Sequence, residues 1–147
     1  MVISMNEKYM ALAINEAEKA YKKNDVPIGC VIVKDGKIIS KAHNKKELKK
    51  NAIMHAEIIA IAKACKKLKT WRLDDCVLYT TVEPCMMCTG AIIQSRIKKI
   101  YYSISNKSFG ELENYHLKNK KIFIQNNILN EESKKIMQQF FKEKRKL

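Results

Sequence analysis

Thirty positions separate His55 from Cys85, and Cys88 follows three residues later; each group stands where an apolar helical pattern begins. One imidazole and two thiolates meeting at an ion would force the starts of two helices together, so this spacing restricts the fold more than any other feature of the chain. Two cysteines three apart at a helix start can place both sulfurs on one Zn²⁺. Three protein ligands leave the fourth tetrahedral position open, as in catalytic rather than structural zinc, and water bound there loses its proton near neutrality. Glu57, two residues beyond His55, is placed to move protons and not to ligate.

Taken singly, the pieces have plainer readings. A lone histidine is an ordinary hydrogen-bonded side chain, and Cys85-x-x-Cys88 alone fits a thioredoxin-like redox pair or half of a closed zinc site. Closing such a site takes a fourth ligand, for which Cys76, His43 and His116 are the candidates, none in a paired spacing. Cys30, Cys65 and Cys76 fall in apolar stretches and read as small buried hydrophobes. The total of five cysteines is odd, which speaks against a disulfide framework.

The surrounding pattern predicts alternating elements. Ser4 and Glu7 form a capping box, and Met10, Ala13, Ile14, Ala17 and Tyr21 recur at helical spacing to about Lys23. Gly29 to Lys34 and Lys37 to Ala42 are β-rich runs joined by Asp35-Gly36, a hairpin turn pair. Ala56 to Leu68 is a helix with a broad apolar face, and a loop with Trp71 follows. Cys76 to Val82 is a strand, Met86 to Ser95 a short helix, Ile97 to Ile104 a strand, Lys121 to Gln125 a short strand, and Glu131 to Lys146 a last helix. Asn106 to Asn119 is weakly patterned and reads as loop. A hairpin followed by strand-helix-strand units predicts an α/β fold: a mixed sheet of about five strands with helices on both faces.

The 147 residues suit one domain spanning 1–147, and no apolar run is long enough to cross a bilayer. The opening Met-Val-Ile-Ser-Met-Asn-Glu lacks the pattern of a signal peptide, so a cytoplasmic location and no membrane partner are expected. Lys and Arg number 29 against 15 acids, a net charge of +14 that favours a polyanionic partner such as nucleic acid. Only three of these are Arg, and so strong a lysine bias is also what A/T-rich coding produces.

His-x-Glu followed by Pro-Cys-x-x-Cys is the order found in zinc-dependent nucleobase deaminases. Further stretches make the chain similar to the tRNA-specific adenosine deaminases: Val26-Pro27-Ile28-Gly29, Asn44 eleven before the histidine, Thr70-Trp71-Arg72-Leu73, the run from Leu78 to Ile97, and Phe140-Phe141 with Lys142, Lys144 and Arg145. The resemblance covers nearly the whole chain. It implies a cytidine-deaminase-like, three-layer α/β/α fold, a homodimer, and hydrolysis of adenosine to inosine at the wobble position of an anticodon, in bacteria an arginine tRNA with anticodon ACG. By position, His55, Cys85 and Cys88 would hold one zinc per chain and Glu57 would shuttle protons. Asn44 would contact the base, and Val26, Pro27, Ile28, Glu83 and Pro84 would shape the pocket. The C-terminal helix would meet the anticodon loop, with Phe141 as a stacking face between basic side chains.

Two departures stand out. Asn51-Ala52-Ile53-Met54 replaces the family's usual lead into the histidine, and Asn106 stands where relatives carry an acidic residue against ribose, keeping hydrogen-bonding ability without charge. The zinc motif is shared with deaminases of free guanine or cytosine, which need no basic surface. A zinc-stabilised RNA-binding module without catalysis is the reading from another class.

Overall fold

The computed structural model describes residues 3–119 and 121–145. The elements run α1 (Met5–Lys22), β1 (Gly29–Lys34), β2 (Lys37–His43), α2 (Ala56–Leu68), β3 (Cys76–Val82), α3 (Met86–Gln94), β4 (Lys99–Ile104), α4 (Leu112–Lys118), β5 (Phe123–Gln125) and α5 (Asn130–Arg145). The expected end of the last helix at Lys146 lies outside the described residues.

The strands form one sheet in the order β2-β1-β3-β4-β5. β1 is antiparallel to both β2 and β3, whereas β3, β4 and β5 run parallel. At the hairpin Asp35 and Gly36 both have positive φ, 51° and 73°, the conformation that a two-residue turn matched to strand twist requires.

Each face of the sheet buries its own apolar set, which is why helices are needed on both sides. On one face Cys30, Ile32, Leu78, Ile100 and Tyr102 pack with Ala56, Ala60 and Ala64 of α2 and Ile92 of α3. On the other, Val31, Val33 and Tyr79 pack with Tyr9, Met10, Ala13 and Ile14 of α1 and with Ile128 ahead of α5. The alanine stripe of α2 lets that helix sit close to the sheet. Close approach is enforced on the opposite face too: a Cβ on Gly29 would stand 1.9 Å from the Ala13 carbonyl oxygen. Ser4 and Glu7 cap α1 reciprocally as expected.

The segment expected to be loop between Asn106 and Asn119 instead carries α4. Seven residues with only Leu112 buried are too short for a periodic signal. The helix is held by tertiary contacts: the Glu83 carboxylate accepts from the Glu113 backbone N–H, and Tyr102 bonds Glu113. β4 begins at Lys99, two residues later than expected, because Arg96 adopts a positive φ of 69° after α3. Cys30 and Cys76 are buried as expected, but Cys65 is only half-buried.

Candidate active site

The parallel strands β3 and β4 both end at one edge of the sheet, where ligands of such sheets gather. The antiparallel pairing Gly29↔His43 brings the chain just before β1 and just after β2 to the same edge. Thus Val26, Ile28, Asn44, Glu83 and Asn106 meet although they are far apart in sequence. They line one cavity of about 790 Å³ together with His55, Glu57, Cys85 and Phe141.

His55 is the N-cap residue of α2 and Cys85 that of α3, and neither side chain caps its helix. Both are therefore free to face outward from the helix starts. His55 Nδ1 lies 3.7 Å from Cys85 Sγ and 3.5 Å from Cys88 Sγ. A tetrahedral zinc with ordinary bond lengths separates its nitrogen and sulfur ligands by about 3.5 Å, so the donor set fits that ion in type, number and spacing. All the ligand atoms lie within 4.8 Å of one another, and neither Cys76, His43 nor His116 joins the group. The closed four-ligand alternative thus finds no fourth protein donor among the described residues.

Electrostatics agree with this arrangement. The Cys85 thiol is held far below its ordinary value by hydrogen bonds from Cys88 and His55, and helix N-termini favour such anions. Glu57 is 4% exposed, and burial, opposed chiefly by its backbone hydrogen bond, raises its carboxyl to about 7. A carboxyl poised there can both accept and return a proton near neutrality.

The other expected residues divide by what they touch. Val26 and Ile28 line the cavity, while the intervening Pro27 is buried and does not. Pro84 is likewise absent from the lining; its carbonyl accepts from Glu111 N–H and the Thr89 hydroxyl. Both carboxylate oxygens of Glu83 are engaged, accepting from Asn106 N–H at 3.2 Å and Glu113 N–H at 3.1 Å. Glu83 thus lines the cavity and also braces the segment from Asn106 to Glu113. Asn106 Oδ1 accepts from Phe109 N–H and fixes a tight turn.

Phe141 reaches the cavity from α5 and is 43% exposed, whereas Phe140 is buried against Tyr21. Lys142 and Lys144 do not line the cavity; Lys144 lies over the Phe140 ring. The side chain of Arg145 lies outside the described residues. Sequence reasoning passed over Lys46, Lys107, Phe109 and Met137, all at the cavity. Phe109 is 76% exposed, and an aromatic residue in a polar turn was the one signal that pointed to it. Asp25, buried behind Asn44, left no signal.

A family model for MafB19-like deaminases matches residues 4–145. The tRNA-specific adenosine deaminase of Streptococcus pyogenes serotype M1 is 41% identical, over 99% of this chain and 90% of that protein. The chain belongs to the tRNA-specific adenosine deaminase family. A solved structure from work on A-to-I editing by tRNA:A34 deaminases superposes with a TM-score of 0.83 at 33% identity, covering 88% of this chain and 98% of that one. A guanine deaminase structure from Bacillus subtilis also matches, at 37% identity, but with a TM-score of 0.68 over 77% of this chain and 75% of that one. The likeness to this family thus extends across nearly the whole length, through α5.

Proposed function

We propose that the chain deaminates adenosine to inosine at the wobble position of a tRNA anticodon, adding water and releasing ammonia. The observation that carries this reading is the composition of the cavity lining: α5 contributes Met137 and Phe141, and Lys46 and Lys107 also line it. A free base needs neither an extra stacking ring nor cations around it, whereas an unpaired loop nucleotide uses both. Relatives named for tRNA-specific adenosine deamination support the same substrate class.

His55, Cys85 and Cys88 would hold one zinc, which when bound supplies the Lewis acidity that lets water act as a nucleophile near neutral pH. Glu57 takes a proton at its carboxylate and returns it to the adenine ring nitrogen, then carries a second to the departing amino group. Val26 and Ile28 exclude water from one wall, and Asn44 offers a polar contact to the nucleoside. Asn106, held in its turn, shapes the rim. Lys142, Lys144 and Arg145 add charge along α5, which favours an RNA loop over a small substrate.

We further infer that residues 1–147 act as one deaminase domain in the cytoplasm; among the described residues no helix is long and apolar enough to cross a membrane. A homodimer is supported by the exposed Met86 of α3 and the groove it shares with Ile93 and Tyr115. Sedimentation checks that state.

The deciding assay incubates zinc-loaded protein with an arginine-tRNA anticodon stem-loop carrying ACG and scores wobble inosine, with Glu57→Gln as control. Inosine from the parent protein alone supports reaction and substrate together. No inosine, but ammonia from guanine, cytosine or free adenosine, would move the assignment to a small-molecule deaminase. Neither product from a folded, zinc-bearing protein would leave an RNA-binding module.

A further inference from the structure

Asp25 is 1% exposed, at the junction between α1 and the cavity wall. Its carboxylate is fully engaged. Oδ1 accepts from Asn44 Nδ2 at 3.0 Å and from Val26 N–H at 3.0 Å; Oδ2 accepts from Glu47 N–H at 2.9 Å and Leu48 N–H at 3.1 Å. One buried acid therefore joins the α1–β1 connection, Asn44 and the lysine-rich turn that carries Lys46.

The bond to Asn44 has a chemical consequence. An ionised carboxylate only accepts, so the amide of Asn44 can meet it only through its NH₂ group. That choice settles which end of the amide is left over. Asn44 is 5% exposed and lines the cavity, and its Oδ1 is buried with no hydrogen-bond partner in the protein. A buried acceptor without a partner is costly, and a ligand donor in the cavity removes that cost.

We propose that Asp25 is a positioning residue that sets the polarity of Asn44, making this wall of the pocket a hydrogen-bond acceptor and selecting a nucleoside that presents an N–H or O–H there. The inference rests on the reading of the cavity as the nucleoside site. With Asp25 changed to Asn, the new NH₂ opposes two backbone N–H groups at the Oδ2 place, those of Glu47 and Leu48, but only that of Val26 at the Oδ1 place. The second placement is favoured, and it draws the Asn44 oxygen to residue 25 and turns the Asn44 NH₂ toward the cavity, so the wall changes from acceptor to donor. Asp25→Asn with Asn44→Asp restores an amide-carboxylate bond and an acceptor on the cavity side, though the Val26 N–H loses its partner.

The test compares zinc-loaded wild type, Asp25→Asn, Asn44→Asp and the double exchange on the ACG stem-loop. Asp25→Asn is expected to raise KM about tenfold with kcat within about twofold, the loss of one hydrogen bond read in binding. Asn44→Asp, with two carboxylates opposed, is expected to be worse, and the double exchange to regain about tenfold over Asn44→Asp. A merely bracing acid would lower the melting temperature and gain nothing from the exchange. An unchanged KM in Asp25→Asn, or a double exchange no better than Asn44→Asp, overturns the proposal.

The side-chain amide of Asn44, followed by NMR in ¹⁵N-labelled protein without substrate, gives an independent reading. Slow exchange and a distinct shift in wild type, lost in Asp25→Asn, are expected; the same spectrum in both overturns the proposal. This measurement decides alone if Asn44→Asp does not fold. It also separates the two claims, since a wild type that makes no inosine refutes the substrate while the amide signal still tests Asp25.

Discussion

Gly110 lies so close to Glu83 that a Cβ on it would stand 2.6 Å from the Glu83 carboxylate and 2.4 Å from the Asn106 carbonyl oxygen. Neither neighbour has room to yield, because Glu83 is tied to two backbone N–H groups and the Asn106 carbonyl accepts from Gly110 N–H. Gly110→Ala therefore has to displace the turn that presents Phe109 to the cavity. Overpacking of this kind costs about 1–3 kcal/mol of stability. A shift near 1 Å at a substrate-positioning turn lowers kcat/KM by about 10²-fold. Melting temperature and kinetics on one preparation check both, and wild-type kcat/KM in this variant would remove the turn from substrate binding.

Zinc content separates the two roles assigned around His55. Cys88 is fully buried at the ligand cluster, so Cys88→Ala removes a donor that nothing nearby replaces. Purified variant is expected to hold well under a tenth of the parent's zinc. Glu57→Gln should keep full zinc and its fold yet lose about 10²–10⁴-fold in turnover, as expected for a lost proton carrier. Near-stoichiometric zinc in Cys88→Ala, or turnover near the parent's in Glu57→Gln, would reassign the residue concerned.

The site was readable in the sequence where its chemistry is local. His55 and Cys85 each open a helix, and a helix start is written in neighbouring residues; Asp35-Gly36 writes its turn in the same way. Harder to read are features made by partners distant in the chain. α4 exists because Glu83 and Tyr102 hold Glu113 across the end of the sheet, and its own seven residues carry too little periodicity to announce it. Glu83 lines the cavity, and its two bonds to distant backbone N–H groups leave no local trace in the sequence. Asp25 looks like an ordinary turn aspartate until β2 returns Asn44 beside it.

The basic C-terminus can be tested by its salt response. Phe141 lies at the cavity, but Lys142 and Lys144 do not line it, so the contribution proposed for them is to the field and to phosphates outside it. Replacing Lys142, Lys144 and Arg145 by Ala should weaken binding of the anticodon stem-loop. If each neutralises one phosphate, the slope of log affinity against log salt flattens by about 2. Fluorescence anisotropy over a salt series measures both. Unchanged affinity and slope would leave these side chains as solubility only.

Acid sensitivity should trace in part to His43, at the end of β2 and distant from the ligand cluster in sequence. Burial lowers its pKa from the ordinary histidine value, helped by Lys23 and Lys45 and opposed by Glu16, whose Oε1 lies 3.4 Å from Nδ1. Between that lowered value and about 6.5 the unfolded chain binds the proton more readily than the folded one. The stabilising contribution is therefore complete above about 6.5 and is lost as pH falls through the folded-state value. Glu16, also lowered, has the same sign but acts below the ordinary carboxylate range. Urea unfolding from pH 7.5 down to 5.5 should show falling stability in the parent and a flatter dependence in His43→Gln. His55 and Glu57 are unaltered in both proteins, so the metal site does not enter the difference. Parallel curves for parent and variant would place the acid sensitivity elsewhere.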